Sequence, residues 1–411
     1  IFDGPGAAPW DVRVLKKGNF FRFWVNGKDY WIHSPRGYWD DEIDDKYQEP
    51  MDGFVGIKVD KEKIESATVK TLGWLQELGK PVIPLGKPGS WNAKQLLPGG
   101  VVKVDDIYYM YFTGSNPDLL SDPPEGAKIG VAYSKDLINW TVYPDPVIRQ
   151  GNHQTWEELA IYSNGAVITP EGEIAIVYAG QFGTQKAPSW GGFGLAFSDN
   201  PLGPFIKSEA NPVYKHEHVS AHEFDLIRTD DPHRRYIMFY AGFNPNPPSG
   251  PSGDRGYLIY SNDLINWKAD DRNPVFHPET MDNWDAVHIR PRSLNRLGDM
   301  WFLWYEGCNN WKPTTKPNYH GWFDTVGIAR SKDLIKWEYY SRNPALPGLG
   351  NSTRQFDNRW VGWPRMVVKN SIGYVFYTGG DGHSIGVRKI AIDKLTDWES
   401  DIEKTINLLK D

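Results

Sequence analysis

The sequence predicts an all-β fold, a single β-propeller of four-stranded antiparallel blades over residues 1–411, from three observations. A glycine-led phrase recurs six times, opening at Gly56, Gly130, Gly194, Gly256, Gly327 and Gly386, with 59 to 74 residues between successive copies. An aromatic-rich strand precedes it in every period, and helical periodicity is nearly absent. Self-similarity at that period, carried on short alternating strands, is the sequence form of a radial array of small sheets.

Each period supplies its strands in order. An inner strand comes first. The aromatic strand follows a tight turn, as in NGKDYWIHS (26–34), DDIYYMYFTG (105–114), EGEIAIVYAG (171–180), HRRYIMFYAG (233–242), GDMWFLWYEG (298–307) and SIGYVFYTGG (372–380). Tyr, Phe, Trp, Val and Ile bounded by Gly, Asn and Asp are strand and hairpin signals. The third strand opens at the glycine and runs into Ser-x-Asp-Leu-x-x-Trp or a near copy, as in GVAYSKDLINW (130–140) and GIARSKDLIKW (327–337). A fourth is placed around DPVI (145–148), NPVY (211–214) and NPVF (273–276). The repeats then run over about 10–85, 91–150, 156–214, 220–277, 284–346 and 356–409, six blades; five is the runner-up, with the poorly formed first and last copies making one blade from two halves. A single short helix is expected at 69–78, with Leu72, Trp74, Leu75 and Leu78 on one face.

With 40% hydrophobic residues in 411, the chain can build a large core as one domain. No run of 18 apolar residues implies a membrane span. A formal net charge of −7 argues against a nucleic-acid partner, which needs clustered Lys and Arg. One cysteine, Cys308, excludes an intramolecular disulfide framework. The first residue is Ile1, as in a mature product with its targeting segment removed, which points to a secreted or periplasmic protein.

The phrases YYMYFTG and SKDLINW resemble the blade signature of the β-propeller glycoside hydrolases related to families 43, 32, 62, 117 and 130, from about Phe20 to Trp398. The resemblance implies a glycosidase with a carbohydrate substrate. The catalytic patterns depart from it. Neither an inner-strand Asp-Pro nor Trp-x-Asn-Asp-Pro-Asn-Gly stands at an aligned position, and the Asp-Pro pairs at Asp122, Asp145 and Asp231 fall in loops or outer connections. The Ser-x-Asp-x-Gly-x-Thr-Trp box of sialidases is absent. Catalytic residues therefore have to be sought in the repeats.

Aligned inner strands put unlike residues in like places: Leu97, Tyr162, His222, Arg290 and Trp363, then Gly99, Asn164, Phe224, Arg292 and Arg365 two residues later. A packing role favours similar small apolar residues, whereas this mixture suits a shaped polar pocket. Just upstream, WN (91–92), WEE (156–158), AHE (221–223), WD (284–285) and FD (356–357) add acids. Asp285 and Asp357 read best as turn caps beside an aromatic plug. Glu158 and Glu223 stand closer to the inner strand and Asp225 lies inside it, where a buried carboxylate needs a partner or a task.

Glycoside hydrolysis calls for two carboxyl groups, one protonating the leaving oxygen and one activating water or attacking. The expected acid and base come from Glu158, Glu223 and Asp225, with Glu306 and Asp381 in reserve. Arg290, Arg292 and Arg365, with His222 and His288, predict a mouth that binds carboxylate or sulfate bidentately, hence an anionic, sulfated or anhydro-sugar-containing glycan. Most of the 19 Trp and 21 Tyr pack between blades, but Trp190, Trp311 and Trp322 in loops, and Trp360 and Trp363 at an inner strand, suit the faces of sugar rings. The same His, Tyr and Arg set is compatible with a polysaccharide lyase acting on a uronate, and the aromatics alone with a non-catalytic binding propeller. His216, His218 and His222 match no standard zinc spacing. No cofactor is expected, with a structural calcium ion in the channel as the one alternative.

Overall fold

The computed structural model describes residues 20–25, 28–33, 74–77, 80–116, 126–184, 187–215, 223–245, 252–278, 285–308, 325–340, 343, 345–346, 361–379 and 383–396. Among the described residues five antiparallel blades form, not six. The first repeat makes no blade of its own among these residues: β1 (Phe20–Val25) and β2 (Lys28–His33) pair with each other, and β3 (Trp74–Glu77) is given to the last blade.

Blade 1 contains β4 (Gln95–Leu97), β5 (Val101–Val104), β6 (Ile107–Ser115), β7 (Lys128–Ser134) and β8 (Thr141–Val142); β4 and β5 pair with the same strand and are one inner strand broken at Pro98–Gly100. Blade 2 is β9 (Ala160–Ile168), β10 (Ile174–Thr184), β11 (Ala187–Ser198) and β12 (Ile206–Lys207). Blade 3 is β13 (Phe224–Arg228), β14 (Tyr236–Asn244), β15 (Gly253–Ser261) and β16 (Lys268–Ala269). Blade 4 is β17 (His288–Leu297), β18 (Met300–Cys308), β19 (Thr325–Ser331) and β20 (Glu338–Tyr339). Blade 5 is β21 (Val361–Lys369), β22 (Ile372–Gly379) and β23 (Ile385–Ala391), completed on its outer edge by β3.

The N-terminal segment thus closes the ring. Residues 74–77, expected to be helical, pair with β23 through Glu77↔Arg388, Gln76↔Lys389 and Trp74↔Ile390. Over so short an apolar run the helical period carries little weight against an unpaired strand edge. The fourth strands also differ from expectation. They are the two-residue segments after the Ser-x-Asp-Leu turn, and DPVI, NPVY and NPVF instead bridge back to the third strand at Ile148↔Ile129, Tyr214↔Phe193 and Phe276↔Gly256. In blade 5 that bridge comes from the other end of the chain, Ile83↔Ile385, with the Val82 and Ile83 amides on the Ile385 carbonyl at 2.8 and 3.1 Å. KPVI (80–83) is the displaced copy of the same phrase.

Five apolar clusters each fill the gap between two neighbouring blades; the one joining blades 5 and 1 sets Phe376, Ile385 and Val387 against Leu96, Met110 and Phe112. Sandwiching on both faces explains why the aromatic second strands are apolar throughout instead of alternating. The phrase glycine has a packing cause. A Cβ on Gly194 would come within 2.6 Å of the Tyr178 ring and 2.7 Å of Trp156, which stacks on Tyr178 at 5.9 Å. In blade 3 Gly256 faces Ala241 and Tyr257 faces Tyr240, one step out of register with Gly194↔Tyr178. Gly56 lies outside the described residues.

The Ser-x-Asp-Leu boxes are turn staples. Ser134 Oγ accepts the Leu137 amide at 2.9 Å while Asp136 accepts those of Ile138 and Asn139; Ser261/Asp263 and Ser331/Asp333 repeat this. Partial burial pushes the Asp263 carboxyl up, but hydrogen bonds from Asn266, Ile265 and Ser261 outweigh it and hold the group at about 2. Asp136 is lowered in the same way, and Asp333 chiefly by the Lys336 amide. Folded-state values below the ordinary 3.8 mean that this stabilisation is complete above that pH and is lost as pH falls through the folded values. Urea midpoints are therefore expected to drop between about pH 4 and pH 2. The triple variant D136N/D263N/D333N should flatten that slope, and an unchanged slope would contradict the staple account.

Candidate active site

The inner strands β4/β5, β9, β13, β17 and β21 surround the axis. Register with the second strands defines one level around it: Leu97↔Thr113, Tyr162↔Ala179, Arg290↔Glu306 and Gly362↔Thr378, with Glu223 bound through its carbonyl to the Ala241 amide at 2.9 Å. The sequence alignment is therefore one residue off in two blades, where Glu223 replaces His222 and Gly362 replaces Trp363. The cause is in the ladders. Blades 2, 4 and 5 carry irregularities just past this level, at Asn164 between Ser163 and Gly165, at Arg292 between Pro291 and Ser293, and at Trp363–Pro364 between Gly362 and Arg365. Bulges re-aim side chains and gather at functional sites. Trp363 shows it in its backbone, with φ at 53°.

These irregularities bring four blades together. Arg292, 1% exposed, donates through Nε to Glu306 Oε2 at 2.5 Å, and its Nη2 contacts that oxygen and also Glu223 Oε1 at 3.3 Å. The other Glu306 oxygen accepts the Trp363 amide. The Arg292 guanidinium lies 4.8 Å from the Trp363 ring centroid. Its Nη1 is buried with no hydrogen-bond partner among the described residues. From blade 2, burial, then the charge of Glu223, pushes the Tyr162 hydroxyl up to about 12. The Tyr162 ring meets Trp190 at 5.5 Å; Trp190 belongs to β11 and not to a loop.

Further along β13 and β21, Asp225 and Arg365 form a buried ion pair between blades 3 and 5. Asp225 also accepts the Leu294 amide at 2.7 Å and the Leu226 amide at 2.8 Å, and Arg365 donates to the Phe224 carbonyl at 3.3 Å. Burial raises the proton affinity of the Asp225 carboxyl and lowers that of the guanidinium, and their mutual attraction opposes both shifts. Toward the start of β17, Asp254 of β15 pairs with His288 Nδ1 at 2.8 Å and Arg290 Nε at 2.6 Å. Although burial works the other way, Arg290 and His288 hold the Asp254 carboxyl well below the usual range.

Glu158 stands apart from this cluster. Its partners are the Gln154 amide at 2.5 Å, the Gly183 amide at 3.3 Å and His153 at 2.9 Å, the first of which leads in lowering its carboxyl. Asp285 accepts the Tyr305 hydroxyl at 2.9 Å. His222, Trp311, Trp322, Asp357, Trp360, Asp381 and the His216/His218 pair lie outside the described residues, as does the side chain of Asn164. Asp254 was missed in the sequence, although a charged pair, Asp254–Arg255, inside a third strand was a signal. The Glu306 signal was plainer, because the position before the glycine of the aromatic phrase is Thr113, Ala179, Ala241 and Thr378 in the other blades. Among the described residues no group of His, Cys, Asp and Glu could hold a metal ion, and no helix is long and apolar enough to cross a membrane.

No family model and no curated protein sequence matches the chain. Solved structures share its fold. A chain described as "Glycoside hydrolase" matches with a TM-score of 0.58 at 17% identity, over 81% of this chain and 95% of that one. A glycosyl hydrolase from Bacteroides ovatus matches with 0.57 at 15%, over 76% and 92%. A thermostable family-43 glycoside hydrolase matches with 0.53 at 16%, over 74% and 91%. At such identities the likeness is one of fold: the chain has the propeller of these hydrolases.

Proposed function

We propose that this protein is a glycoside hydrolase acting at the propeller axis, with Glu223 as a reacting carboxyl. The observation that carries the proposal is the convergence of Tyr162, Glu223, Arg292 and Trp363, from four blades, on one place. Three other candidate carboxyls have both oxygens taken up: those of Glu306 by Arg292 and Trp363, those of Asp225 by Arg365 and two amides, and those of Glu158, away from the cluster, by Gln154, His153 and Gly183. For the second carboxyl that the reaction requires, Asp381, the remaining candidate from the sequence and outside the described residues, is proposed. Trp363 and Trp190 supply flat surfaces for a sugar ring.

Each arginine expected to grip an anion already carries a carboxylate: Arg290 has Asp254, Arg292 has Glu306 and Glu223, and Arg365 has Asp225. A threefold bidentate anion clamp does not fit this arrangement. Arg292 is itself 1% exposed with Nη1 buried, so its part is to hold Glu306 and the Trp363 ring in place and not to grip an anion.

The Asp254–His288 pair favours a second reading, a lyase in which a histidine oriented by a carboxylate abstracts a proton next to a uronate. Products decide between them. Incubation with neutral, uronate-containing and sulfated oligosaccharides should give saturated reducing sugars. Unsaturated products absorbing in the near ultraviolet, lost in His288→Ala, would establish the lyase. Binding with no product from any of them would leave a carbohydrate-binding propeller.

A further inference from the structure

Glu306 occupies a position that is small in the other four blades, and it is 0% exposed, so it is out of a substrate's reach. Its two oxygens join the irregular point of β17, at Arg292, to that of β21, at Trp363. Arg292 Nη2 is shared unequally, in close contact with Glu306 and at 3.3 Å from Glu223. A guanidinium that neutralised Glu223 fully would keep it ionised and useless as a proton donor, because an opposite charge in contact favours the charged form of a carboxyl.

We infer that Glu306 is a positioning residue that draws Arg292 away from Glu223 and so leaves Glu223 able to take up and release a proton. The inference rests on the reading of Glu223 as the reacting carboxyl. Groups that face Glu223 include Tyr162 from β9 and Arg292 from β17, with Glu306 of β18 behind the guanidinium. Arg292 is a positive charge in contact with it, and Glu306 competes for that charge.

The test is a ¹³C-carboxyl NMR titration of glutamate-labelled protein without substrate, the Glu223 and Glu306 resonances being identified by their loss in E223Q and E306Q. In the wild type Glu223 should titrate above Glu306, and the reverse order would overturn the inference. In E306Q the Glu223 midpoint should fall by about one unit, a tenfold loss of proton affinity, as the guanidinium transfers to it. An unchanged or raised midpoint would overturn the inference. Should E306Q not fold, R292Q should raise the same midpoint, and a fall would count against the inference. The titration stands apart from the hydrolase reading, which fails instead if E223Q keeps full hydrolytic rate.

Discussion

Glu223→Gln should lower turnover by about 10²–10⁴-fold, the usual contribution of a general acid or base, while leaving the unfolding midpoint near that of the wild type. The substitution is close to isosteric and keeps an oxygen for Arg292. The 3.3 Å contact it disturbs is long, and Arg292 retains Glu306 as its main partner, so no buried charge is stranded. Stopped-assay hydrolysis beside a urea titration separates the two effects. Full activity in E223Q, with loss in His288→Ala or Asp254→Ala, would transfer the chemistry to the histidine pair.

The opposite pattern is expected for Asp225→Ala. Removing one member of a buried ion pair leaves the other uncompensated and typically costs about 3–5 kcal/mol, and here two backbone amides also lose their acceptor. The D225A urea midpoint should therefore fall sharply. The double variant D225A/R365M should recover much of the loss, because no charge is then left buried without a partner. A D225A protein of full stability and selectively lost turnover would return Asp225 to the catalytic role that its sequence position suggests.

Much of the architecture was legible because it depends on local chemistry. The aromatic strands and third-strand glycines recur as residue types, and the Ser-x-Asp-Leu staples close within a few residues, so each copy declares itself. Blade number was harder, since KPVI at 80–83 serves β23 some 300 residues later. The site was legible only in part for the same reason. Tyr162, Glu223, Arg292 and Trp363 stand out as residue types, but their convergence depends on bulges, which a linear alignment passes over by one residue. The pairings of Arg292 with Glu223 and Arg365 with Asp225 span 69 and 140 positions. Nothing in the local sequence states that those arginines are already taken, and so they looked available for an anion.

The shared fifth blade also imposes an order on how the molecule is made. During synthesis β3 emerges before every other blade strand described, yet its partner β23 follows it by some 300 residues. Blades 1 to 4 draw all their strands from one continuous stretch and are able to assemble as they appear. The leading strand must meanwhile wait, its edge without the β23 ladder, until that strand arrives. Trp363 and Arg365 are carried by β21 of that same blade, so the nascent chain has no complete pocket until the fifth blade has been made.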